Sequence, residues 1–263
     1  MVVIKMLKAS HFGPTVLVTT LALLLSHNFF VWTDSIQIAT AIFLGQLSVG
    51  WSNDILDVER DRLQNRMSKP LVSGELSLDL LRRALIIDLV FCLILSVTGP
   101  LGIRGGILHI FGVLCGLSYN WYFKFTWGSP LPYVLAFASL AVVTYVATNQ
   151  TPPSWLVVAG GLFGLAAHFA NVLKDMESDR EIGIRGLPQI VGMKTSLFIA
   201  GAALIVIAVI LASQSHHYRW WLGASTGIGL ITLIFRPKRY GFQVIMGLAI
   251  VDVVTLLFSG VLG

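Results

Sequence analysis

Charge is scarce in this chain of 263 residues: Asp, Glu, Lys and Arg together make up 12%. A soluble protein takes about a quarter of its residues charged to cover its surface, so a soluble globular domain is excluded. Cysteine is sparse too. Cys92 and Cys115 both fall in apolar runs, without a Cys or His neighbour at metal-ligand spacing, and read as buried reduced thiols. Apolar residues are what the chain has, at 56%, with a mean hydropathy of +0.81. At about 20 residues per spanning helix there is room for about nine spans and for no separate soluble domain. The sequence predicts an all-α, polytopic membrane protein.

Apolar runs place spans at 12–32, 36–58, 79–98, 103–121, 131–148, 154–174, 192–213, 217–235 and 240–262. Each is hydrophobic nearly all round, as a lipid-buried helix should be. Lys5 and Lys8 before the first run resemble a secretory signal, but the run is too long and no small-x-small cleavage site precedes the next span. It is expected to be the first transmembrane helix. With nine spans, 16 of the 18 basic residues fall on one side of the membrane, and only Arg104 and Arg219 fall on the other. The positive-inside rule then puts the N-tail in the cytoplasm and Gly263 outside, in a cell (inner) membrane. The pI near 9.4 follows from topology and needs no nucleic-acid partner.

The acidic residues are clustered. Eight of 13 lie in two stretches, Asp54 to Asp61 and Asp175 to Glu181. At 100° per residue Asn53, Asp57 and Asp61 share one helix face, with Asp54 in the same arc. Asn171, Asp175 and Asp179 repeat that spacing, while Glu59 and Glu177 point away. A shift of 118 residues superposes Asn53, Asp57, Glu59, Asp61 and Arg62 on Asn171, Asp175, Glu177, Asp179 and Arg180. The shift spans an even number of helices, so both stretches meet the cytoplasmic edge. The pattern predicts a duplicated four-helix unit followed by a ninth helix.

Carboxylates stacked about 6 Å apart repel by roughly 3 kcal/mol per pair at an effective dielectric of about 20. Hard divalent cations are the natural counter-charge, and Mg²⁺ favours a few carboxylates together with phosphate oxygens. A solvated, charged helix end would explain one such stretch more readily than two in matching register.

Asn53-Asp54-x-x-Asp57-x-x-x-Asp61 with Asn171-x-x-x-Asp175-x-x-x-Asp179 resembles the paired motifs of the UbiA superfamily of intramembrane prenyltransferases. Lys69-Pro70-Leu71-Val72-Ser73-Gly74 resembles its Arg-Pro-Leu-x-Ser-Gly segment, with Lys in place of Arg. Gly183, Leu187-Pro188 and the stretch from Tyr119 to Lys124 also look like the family pattern. The resemblance covers essentially the whole chain. It implies a ring-like helical bundle that transfers a prenyl group from a prenyl diphosphate to an acceptor, with Mg²⁺ as cofactor. It assigns Asn53, Asp54, Asp57, Asp61, Asn171, Asp175 and Asp179 to diphosphate binding through the metal. Arg66, Lys69 and Lys124 are the candidates to stabilise the departing diphosphate. Lysine at 69 keeps the charge but loses the bidentate fork. An allylic carbocation would need a dry chamber with aromatic faces, which Tyr119 and Tyr122 could supply; an interfacial aromatic belt is the plainer reading of both.

Asp88 and Asp252 lie at intramembrane depth, either in a substrate role or as buried hydrogen-bonding positions. His168 precedes Asn171 by three residues on the same face, to orient an acceptor or, more simply, to make a helix–helix hydrogen bond. His109, Trp51 and Trp121 read as packing or interfacial residues, and His216 and His217 as solvated. A transporter would place its acids nearer the midplane, beside broken helices. The CDP-alcohol phosphotransferase pattern needs an Asp-Gly and an Ala-Arg pair that are absent after Asp57. A scaffold would have no use for seven metal-type ligands in register. The expected acceptor is lipophilic or aromatic, with a 4-hydroxybenzoate-like quinone precursor first and a phospho-sugar among the alternatives.

Overall fold

The computed structural model describes residues 2–181, 183–215 and 217–262, and among these no strand occurs. His216 and Gly263 lie outside them. The helices are α1 (Val2–Ala9), α2 (Phe12–His27), α3 (Trp32–Leu63), α4 (Leu78–Thr98), α5 (Gly102–Trp121), α6 (Pro130–Ala147), α7 (Ser154–Val172), α8 (Met176–Glu181), α9 (Leu187–Val191), α10 (Met193–Gln214), α11 (Arg219–Phe235) and α12 (Pro237–Ser259). A long helix overlaps every apolar run. Five of them, α5, α6, α7, α10 and α12, are long and apolar enough to cross a membrane by length and composition. α1 and α2 make a sixth candidate if their 77° bend interrupts a single crossing.

Two ends differ by five residues: α2 stops at His27 where hydropathy runs to 32, and α3 overruns its expected end. Hydropathy ends this segment at 58, yet the helix continues to Leu63. Its polar last turns are held by ion pairs at i,i+3 spacing, Arg60 to Asp57 at 2.5 Å and Arg62 to Glu59 at 2.6 Å. Asn65, at φ 51°, then stops it. The Asn65 N–H donates to the Arg62 carbonyl and the Arg66 N–H to the Asp61 carbonyl, the paired bonds of a left-handed helix cap. The N-tail also differs from expectation: α1 is a short helix docked on α3, where the Trp51 indole donates to the Met6 carbonyl at 2.8 Å.

Each long helix packs against the next in chain order, and α12 packs back on α2 and α7. The main core joins these elements through side chains such as Phe169, Leu204, Ile207 and Ile245. A smaller core of Trp51, Val58, Leu71, Leu76 and Leu81 clamps the 65–77 loop against α3 and α4. Close helix approach rests on small residues. At Gly164 of α7, a Cβ would lie 2.3 Å from the Tyr133 carbonyl oxygen of α6.

Two polar pairs bond between long helices. The Ser48 hydroxyl donates to Asp88 at 2.6 Å, joining α3 to α4, so Asp88 does not pair with Arg82 or Arg83. His109 Nδ1 meets the Ser96 hydroxyl at 2.8 Å. Asp252 is buried, and its Oδ1 has no hydrogen-bond partner among the described residues.

Gly164→Ala is expected to push α6 from α7 and cost about 1–3 kcal/mol, lowering the thermal unfolding temperature of the detergent-solubilised protein. An unchanged unfolding temperature would show that the two helices slide apart without penalty.

Candidate active site

The α3 end, the loop after it, the α7–α8 junction and the start of α12 enclose a cavity of about 850 Å³. Asn53 and Asp57 from the first acidic stretch and Asn171, Asp175 and Asp179 from the second all line it. The two stretches therefore meet in space, as the matching spacing requires. They do so differently. The second is not one straight helix: α7 ends at Val172, and a tight turn in which the Asp175 N–H donates to the Val172 carbonyl precedes α8. Asp175 and Asp179 reach the cavity from a bent segment.

Asp54 and Asp61 depart from the expectation of a shared face. Both are 3% exposed and neither lines the cavity. The turn at Asn65 reverses the chain, and Val72 and Ser73 donate N–H bonds to the Lys69 carbonyl. Gly74 at φ 75° completes the loop, a conformation glycine takes without strain. Lys69 Nζ is thereby delivered 2.8 Å from Asp54 and 2.7 Å from Asp61. Burial opposes the Lys69 charge, but the two carboxylates outweigh it and hold the ammonium above the ordinary lysine pKa.

Arg66 and Lys124 join the same cluster. Arg66 reaches Asp61 and Asp175, each at 3.4 Å. Lys124 sits on a 3₁₀ turn, Phe123–Phe125, with its ammonium 2.5 Å from Asp57. Burial lowers its pKa, and Arg60 and Lys69 add to that, against the pull of Asp57. All three predicted cations are in the site. At Asp179, burial first and the neighbouring Asp175 charge second push the pKa up to about 6, although the Gln189 amide donates to it at 2.9 Å.

The aromatic wall is partly as expected. Tyr119 lines the cavity, edge-on to Tyr133 with centroids 5.0 Å apart. Tyr122 does not: it is 58% exposed and packs edge-on to Phe123. Tyr133, which takes its place and accepts a 3.4 Å bond from the Asn171 amide, went unrecognised in the sequence. Its position at the inner end of a span, near Lys124, was the available signal. His168 is fully buried and bonds the Ser129 hydroxyl at 3.0 Å, the helix-to-loop tie rather than a chamber-facing role. Gln189 and His11 were also missed. His11 lies 3.2 Å from the Asn53 amide and 3.3 Å from Asp54, contacts that no local spacing announces.

Among the described residues no three His, Cys, Asp or Glu side chains lie close enough to enclose a metal ion by themselves. The donor set nonetheless suits Mg²⁺. Three carboxylates and two amides, all offering oxygen, share one cavity with three cations placed for an anion, the combination of a metal whose coordination phosphate oxygens complete.

Lys69→Met should remove the partner that two buried carboxylates share, leaving Asp61 to Arg66 and Asp54 to His11, and cost about 3 kcal/mol, read as a lower unfolding temperature; Asp54→Asn in the same chain should recover part of it. Asp179→Asn should do the opposite. The raised pKa means that folding disfavours the ionised form, so this substitution should stabilise the ligand-free protein by roughly 1 kcal/mol at pH 7 after solvent screening. The gain should shrink as pH falls from about 6 toward 4. A gain independent of pH would refute the buried-charge explanation.

Residues 13–243 match the UbiA prenyltransferase family model. The digeranylgeranylglyceryl phosphate synthase of Pyrococcus furiosus is 29% identical over 207 residues, which cover 72% of this chain and 65% of that protein. The match therefore spans just under two thirds of that relative's length. A Thermococcus kodakarensis protein of the same name is 27% identical over 219 residues, 77% of this chain and 70% of its own. A solved UbiA homolog from Archaeoglobus fulgidus, bound to GPP and Mg²⁺, superposes with a TM-score of 0.68 at 16% identity, covering 95% of this chain and 99% of that one.

Proposed function

The chain belongs to the UbiA prenyltransferase family, and on that premise we propose that it transfers a prenyl group from a prenyl diphosphate, in the presence of Mg²⁺, to a lipophilic acceptor. The observation that carries this reading is the convergence in one cavity of Asp57 with Asp175 and Asp179, 118 and 122 positions away, each beside a cation or a donor amide. The Archaeoglobus fulgidus homolog's bound GPP and Mg²⁺ support the same donor and cofactor here.

Asp57, Asp175, Asp179, Asn53 and Asn171 would hold Mg²⁺, which neutralises diphosphate charge and so permits these carboxylates to face an anion. Lys124 and Arg66 then turn from their carboxylate partners toward the diphosphate. As the allylic C–O bond breaks, its electron pair leaves with the diphosphate, and the two cations stabilise the growing charge. Tyr119 and Tyr133 present ring faces to the carbocation left behind. Asp54 and Asp61 act through Lys69, holding the loop that carries it, and are positioning residues in this reading.

The acceptor is open between two classes. The quinone-precursor aromatic expected from sequence is not the acceptor that the names of the two archaeal relatives point to. A phosphorylated glycerol lipid is favoured by the names of two relatives and by the basic residues at the α12 end of the cavity. A transporter is disfavoured, because the carboxylates sit among paired cations at a helix end. The basic-residue asymmetry supports nine crossings with the N-terminus and the cavity mouth cytoplasmic, and the packing of α12 back on α2 favours a ring.

Purified protein incubated with labelled geranylgeranyl diphosphate, Mg²⁺ and a panel of acceptors should yield a prenylated product identifiable by mass. Asp57→Ala and Asp175→Ala should each reduce turnover at least about 100-fold at near-normal expression. Retained turnover in either variant would reject the metal assignment.

A further inference from the structure

The cavity is electrically divided. At the α3 end Asp54, Asp57, Asp61 and Asp175 each have a cationic partner within 4 Å, and Asp179 has the Gln189 amide. At the α12 end the imbalance is reversed. Lys174 follows α7, Lys238 and Arg239 stand in the first turn of α12, and all three line the cavity. Lys238 pairs with Glu177 at 3.0 Å. Among the described residues Lys174 and Arg239 have no carboxylate within salt-bridge distance. The same cavity is also lined by apolar side chains, Phe12, Leu17 and Val18 from α2 and Phe242 from α12. The α3 end calls for added cations, and the α12 end for an anion with a hydrocarbon tail.

We propose that Lys174 and Arg239 bind the phosphate of the acceptor, an amphiphile whose apolar chain lies against Phe12, Leu17, Val18 and Phe242. The inference deepens the prenyl-transfer reading and rests on it. A phosphate monoester accepts charge-assisted hydrogen bonds from both side chains, and its charge offsets two cations that line one cavity without a carboxylate partner among the described residues. A neutral alkylglycerol or an uncharged phenol would leave them unmatched. Discrimination among acceptors therefore sits just after α7 and in the first turn of α12, on side chains other than the Asp57 and Lys124 pair that handles the donor.

The test is direct binding without donor or Mg²⁺, on full-length protein in neutral phosphatidylcholine nanodiscs. The probes are radiolabelled hexadecylglycerol phosphate, hexadecylglycerol and glycerol phosphate. The phosphorylated amphiphile should bind at least about tenfold more tightly than either of the others. Lys174→Gln with Arg239→Gln should abolish that preference, and Lys174→Arg with Arg239→Lys should keep it. Mg²⁺-dependent binding of a non-hydrolysable geranylgeranyl thiodiphosphate should be unchanged in the double Gln variant, showing that it is folded. Equal binding of the phosphorylated and neutral amphiphiles, or an undiminished preference in the double Gln variant, would overturn the proposal. Glycerol phosphate binding as tightly as the amphiphile would remove the tail from it. Failure of the wild-type protein to bind the thiodiphosphate would instead sink the prenyl-transfer reading, whatever the acceptor probes show.

Discussion

Asp54 and Asp61 are buried at a helix end, and a buried carboxylate without a partner costs several kcal/mol. Much of the surrounding structure serves that constraint. α3 ends at a left-handed asparagine, the chain reverses, and a small apolar core clamps the 65–77 loop so that Lys69 lies between the two acids. Arg66, carried by the same loop, bridges Asp61 to Asp175. One loop thus neutralises the first acidic stretch and ties it to the second.

The resulting division of labour explains why two stretches of equal spacing are used unequally. Both offer Asn and two Asp residues four positions apart. On the first, the loop covers Asp61 and leaves Asn53 and Asp57 to the cavity; on the second, the helix breaks after Val172 and both Asp175 and Asp179 reach it. Tyr119 of α5 and Tyr133 of α6 complete the wall, and the Tyr133 backbone lies against α7 at Gly164. Precise placement of the aromatic rings is therefore a property of helix packing, in a fold where small residues permit contact.

The helical class, the position of every long helix and the pairing of the two acidic stretches could be read from sequence, because each depends on local hydropathy or short-range spacing. Asn53, Asp57, Asn171, Asp175 and Asp179 share a cavity as the spacing suggested, and Arg66, Lys69 and Lys124 stand among them. Asp54 was misread because helical geometry gives an angle around an axis and says nothing of what covers that face. The choice between a chamber role and an exposed one for Tyr122 lay beyond the sequence for the same reason. His11 comes from 42 positions before Asn53, beyond the reach of any periodicity.

By itself the sequence determined that this chain is an all-helical membrane protein with two matched acidic ends and a strong bias of basic residues. Those properties follow from the energy of placing side chains in hydrocarbon or water, which each residue carries with it. The tertiary structure alone decided which acids are covered by Lys69 and which stay open, which tyrosine faces the cavity, and that Lys174 and Arg239 line the same cavity. Such outcomes depend on distances between elements remote in the chain, and packing sets those distances only once the whole bundle has closed.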